Sequence, residues 1–210
     1  MKIRRAIFLL VPALLMYSCA PVMSLHKWYA DEDVVTEPGL VGNWYSVDDK
    51  GTVDTSGTLT FAQDIEHGYT LTTIDKTHTG VRETFAVYAF KLGEQLFLDD
   101  SYAGIYSNGD ELATGTIPAH MVGKLSIGPN NVRIDFLDDD WVRDALKANP
   151  GAIRNERVDE NIYLTAPEAE LQRFLLDALK SEKAFAVTIK LVRTSAVPAT
   201  TPTPATPSKQ

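Results

Sequence analysis

Residues 81–98 read VRETFAVYAFKLGEQLFL. Val, Thr, Phe and Tyr crowd Val81–Leu92, Gly93-Glu94 breaks the run, and Gln95–Leu98 turns apolar again. That order spells a strand, a two-residue turn and a returning strand. Both faces of Val81–Leu92 are apolar, so either Val87 or the pair Tyr88 and Phe90 points into the interior.

The same signal repeats on either side. Upstream lie Leu40–Val47 (LVGNWYSV), Gly57–Ala62 (GTLTFA), in which Leu59 and Phe61 alternate with Thr, and Tyr69–Ile74 (YTLTTI) beyond His67-Gly68. Downstream, Ile117–Ile127 alternates around His120 and Lys124, and Gly128-Pro129-Asn130-Asn131 marks a turn. In Val132–Leu137 the choice of face is clear: Val132, Ile134 and Phe136 oppose Arg133 and Asp135. Asn161–Leu164 and Ala184–Val192 complete the set, with Phe185, Val187, Ile189 and Leu191 on one face of the last strand. Short connections predict an antiparallel meander, hence a mostly β fold.

Two helices interrupt the strands. Asp138-Asp139-Asp140 leads into a helix over Trp141–Ala148, which stops at Asn149-Pro150-Gly151. Thr165 and Glu168 have the spacing of a capping box, and Leu171, Phe174, Leu175, Ala178 and Leu179 follow at helical period. That second helix is expected to pack outside the sheet.

The chain has 210 residues, 28 acidic against 20 basic, and 44% hydrophobic residues. The length suits one β domain, and the apolar fraction is enough for a core. A formal charge of −8 argues against nucleic acid as a partner. One cysteine excludes an internal disulfide and a cysteine-based zinc cluster.

The ends read differently from the middle. Lys2, Arg4 and Arg5 precede the apolar run Ala6–Met16, which is too short to span a bilayer and has the length of a signal-peptide core. Cys19 follows Met16-Tyr17-Ser18 and resembles the lipobox cysteine of bacterial lipoproteins, which is lipidated after cleavage. An ordinary secretory signal with a free thiol is the alternative; the position of the only cysteine favours lipidation. Ala20 rather than Asp after the cysteine implies outer-membrane delivery by the same resemblance. Residues 1–18 then form a signal peptide, 19–38 a lipidated terminus and linker, and 39–194 the folded domain. Residues 195–210, with four prolines and no aromatic residue, form a solvated tail.

Gly42-Asn43-Trp44 on the first strand resembles the G-x-W motif of lipocalins and the wider calycin superfamily. The resemblance implies a barrel of about eight strands in which Gly42 and Trp44 close the base and Arg193, from the last strand, stacks on Trp44. The long helix before a final strand fits that family too. The resemblance covers only the ends of the domain: no second lipocalin motif occurs, and the Trp141–Ala148 helix is additional. It implies a cavity for an apolar small molecule or lipid, with Leu59, Phe61, Val87, Ile134, Phe136, Val187 and Ile189 as lining residues and Tyr88 and Phe90 as the alternatives. The other function consistent with the sequence is a structural or assembly accessory of the envelope with a filled interior.

Signals of chemistry are weak. Asp138–Asp140 reads as a helix cap rather than a cation site. Asp99, Asp100, Asn108, Asp110 and Glu111 read as a solvated turn whose order does not match an EF-hand. His26, His67, His78 and His120 fall in separate segments. No nucleophile elbow, zinc-protease motif or phosphate loop occurs, so nothing supports an enzyme, a metal or a cofactor.

Overall fold

The computed structural model describes residues 22–75, 81–107, 110–111, 119–159 and 161–197. The signal segment 1–18, Cys19, His78, Asn108 and the tail beyond residue 197 lie outside the described residues. In chain order the elements are β1 (Met23–Ser24), β2 (Gly42–Val47), β3 (Val53–Ile65), β4 (Gly68–Asp75), β5 (Val81–Leu92) and β6 (Gln95–Ser107). There follow β7 (Asp110–Glu111), β8 (His120–Ile127), β9 (Asn131–Phe136), α1 (Asp139–Ala148), β10 (Asn155–Val158), β11 (Asn161–Leu164), α2 (Glu168–Ala178) and β12 (Val187–Arg193).

Eight strands close into an antiparallel barrel in the order β2-β3-β4-β5-β6-β8-β9-β12. β12 returns to β2, pairing Arg193 with Trp44 and Lys190 with Val47. Closure gives every barrel strand a hydrogen-bonded neighbour on each side. The meander is interrupted twice: β7 lies between β6 and β8, and α1, β10, β11 and α2 are inserted between β9 and β12. Gly93 has φ 59 in the β5–β6 turn, the left-handed conformation that glycine adopts without a Cβ penalty.

Two apolar clusters lie on opposite sides of the barrel wall. The inner one holds Leu40, Trp44, Phe61, Tyr69, Val87, Ala89, Leu98, Ile134, Phe136 and Leu191. The outer one packs Phe90 and Leu92 of β5, Phe97 of β6 and Val122 of β8 against Val142 and Leu146 of α1 and Leu171, Phe174, Leu175 and Ala178 of α2. β5 is therefore apolar on both faces because one face meets the interior and the other meets a helical layer. Val87 points inward; Tyr88 and Phe90 pack outward, against Tyr29 at ring-centroid distances of 5.0 and 5.9 Å.

Several local features depart from the sequence-based expectations. Residues 22–38, expected as a linker, pack against the barrel. Trp28 is fully buried, β1 pairs with β8 and β11, and the Val35 N–H donates to the Ala89 carbonyl at 2.9 Å. The capping box at Thr165 does not form, because Pro167 occupies the N-cap and Glu168 becomes the first helical residue. Ala166 precedes that proline and is steered away from helical backbone, so the helix starts late. α1 does begin on its expected cap: the Asp138 carboxylate accepts from the Trp141 N–H at 2.8 Å. Phe185 precedes β12, after the 3-10 turn Glu182–Ala184, and joins the outer cluster instead of the inward face of that strand.

The larger correction concerns residues 99–107. They are not a solvated turn: β6 runs for 13 residues, pairs with β5 along its length and with β8 from Phe97 to Ser101. Asp99 and Asp100 therefore sit in a barrel wall, and both are buried. Asp110 and Glu111 are exposed on β7.

Candidate functional site

The base of the barrel is built from β2 and β12. Trp44 is fully buried and donates from Nε1 to the Leu40 carbonyl at 2.9 Å. The Arg193 guanidinium lies 4.3 Å from the centre of the Trp44 ring, within cation–π range. Its Nη1 and Nη2 donate to the carbonyls of Val41 (2.9 Å) and Gly39 (2.8 Å), tying the last strand to the turn that enters the first. Gly42 has φ 134, and a Cβ there would stand 2.6 Å from Arg193 Nη1. Only glycine satisfies both the backbone and the close approach. The three residues form one unit because antiparallel pairing brings the chain's two distant strands together.

Above this plug the interior is not filled. A cavity of about 300 Å³ lies between strands from around the barrel, a volume at the lower end of known ligand sites, roughly 300 Å³ and upward. Leu59, Phe61, Ile134, Phe136, Val187 and Ile189 line it. Val87 belongs to the inner cluster without lining the cavity, and Tyr88 and Phe90 lie on the other side of the wall. Phe85, Leu71, Leu98 and Met121, which sequence reasoning did not name, complete much of the wall. Ile189 is 38% exposed while lining the cavity, which marks an open mouth beside β12.

Among the described residues two polar ones line it, Thr73 and Asp100. Asp100 is 6% exposed, and its Oδ1 is the one buried side-chain oxygen without a hydrogen-bond partner among the described residues. Burial, reinforced by the neighbouring Asp99 charge, pushes its carboxyl up to about 7. The adjacent residue has the opposite circumstances. Alternation sends Asp99 through the outer face, where Oδ2 accepts from the Trp28 N–H at 2.9 Å and Oδ1 meets His120 Nδ1 at 2.8 Å. His120 thus orients a carboxylate that fastens the N-terminal segment to the wall.

Of the other described histidines, His26 lies in that N-terminal segment, and His67, with φ 57, sits in the β3–β4 turn. No group of three or more His, Cys, Asp or Glu side chains is arranged to hold a metal among the described residues. The hairpin register was the available sign of Asp100. A two-residue turn at Gly93-Glu94 pairs Leu92 with Gln95 and carries Val87 opposite Asp100.

No family model, curated protein or solved structure matches the chain. The fold and cavity alone define it here, as a closed eight-stranded antiparallel barrel with an apolar, one-carboxyl interior.

Proposed function

We propose that the chain is a lipid-anchored protein of the bacterial cell envelope, held at the outer membrane and facing the periplasm, whose barrel binds an apolar small molecule or lipid as lipocalins do. The observation that carries this reading is the unfilled apolar interior of about 300 Å³. An accessory role without a ligand calls for an interior packed by side chains, as small barrels of about eight strands can achieve. Empty apolar volume costs stability, on the order of 24 cal/mol per Å³, so its retention favours a binding role. The Gly42–Trp44–Arg193 base supports the lipocalin likeness. The signal-like segment and Cys19 support the anchor.

A polarity-sensitive apolar fluorophore tests the cavity. The wild type brightens the probe, and Val187→Trp, which places an indole in the cavity, weakens binding at least tenfold while the protein still melts cooperatively. Equal probe response in the two proteins places the dye on the surface and refutes the reading.

A further inference from the structure

Among the described residues the Asp100 carboxyl makes no hydrogen bond to another residue. Its Oδ1 is buried and unpartnered, it lines a cavity whose other described residues are apolar apart from Thr73, and a leucine there would match its surroundings. Buried polar groups are nearly always hydrogen-bonded in native proteins, and one that is not calls for an explanation. Asp99 shows that this same strand can satisfy a buried carboxylate fully when the role is structural.

From this contrast we infer that Asp100 is the head-group anchor of the cavity and selects an apolar ligand bearing one cationic, hydrogen-bond-donating nitrogen, such as an alkylammonium, over an alkyl carboxylate. The inference rests on the cavity being a ligand site, as proposed above. A protonated amine at this wall donates to the carboxylate and neutralises the charge that burial disfavours, making a short charge-assisted bond. A fatty carboxylate meets like charge. Asp99, one residue away behind the wall, adds to that repulsion, while His120 beyond it opposes it only when protonated. Among the described residues no other charged side chain lines the cavity. Its volume limits the guest: at about 30 Å³ per water-sized atom, roughly ten non-hydrogen atoms fit.

Octylamine, octanol and sodium octanoate are suitable probes, titrated calorimetrically into the wild type, Asp100→Leu and Asp100→Asn. At about pH 8 the wild-type carboxyl is mostly ionised and the amine is protonated. Octylamine is expected to bind the wild type at least tenfold more tightly than octanoate, with octanol between them. Both variants lower that ratio at least tenfold; cooperative melting shows that they are folded. A ratio unchanged in the variants assigns the preference to the acidic surface and overturns the inference. Octanol binding without any advantage for the amine also overturns it, and leaves the cavity reading standing. If none of the three binds, the cavity reading fails and this inference fails with it.

Discussion

Asp100→Asn separates the energetic cost of a buried carboxyl from its use. The folded protein holds this group at about 7, against 3.8 for an unperturbed carboxyl. Because the folded value is the higher one, the folded state keeps a proton that the unfolded chain has released, and stability falls as pH rises through that window. A difference of roughly three units corresponds to about 4 kcal/mol, at 1.36 kcal/mol per unit, fully expressed above the folded value and absent well below the unfolded one. About 3 kcal/mol of it develops between about pH 5 and about pH 8. Asparagine has no charge to lose, so its curve lacks this slope. Its own amide remains partly unsatisfied at a cost of about 1–3 kcal/mol, which makes the net gain at the higher pH smaller than the full figure. Urea denaturation of both proteins at the two pH values measures the effect. The stability difference, variant minus wild type, should rise by about 3 kcal/mol across the interval. A pH-independent difference would falsify the assignment of an unpartnered, proton-retaining carboxyl.

Three further perturbations probe the rest of the molecule. Phe174→Ala empties a site buried between α2 and the barrel, beside the Trp141 ring at 5.5 Å, and is expected to cost about 3–5 kcal/mol in chemical denaturation. A loss below 1 kcal/mol would mean that the helical layer is peripheral. Arg193→Ala removes two hydrogen bonds and the contact with Trp44; a destabilisation of about 2–3 kcal/mol is expected, with altered tryptophan fluorescence. A spectrum and stability like the wild type's would show that the base closes without it. Cys19→Ser is expected to move the protein from membrane to soluble fractions, and undiminished membrane retention would rule out the acyl anchor.

Alternation was enough to read the class of fold and most strands. β5 and β11 have the expected bounds, and β9 buries Val132, Ile134 and Phe136 because Arg133 and Asp135 leave only one face apolar. The stripe Leu171–Ala178 likewise identified α2, since helical period and burial coincide there. These features are local: each depends on residues a few positions apart. Chain-distant pairing decided the remainder. On β5 both faces satisfy the same rule, and nothing within that strand tells Val87 from Tyr88 and Phe90. The answer comes from α1, α2 and Trp28 covering one side while the barrel closes on the other. The acidic pair was misread for the same reason. Asp99-Asp100 has turn chemistry, yet pairing with both β5 and β8 holds it in a wall and points its two carboxyls in opposite directions. One finds Trp28 and His120, and the other finds an empty apolar cavity. Composition and periodicity describe what a segment can bury, whereas partners brought from 20 or more residues away decide which face is buried and against what.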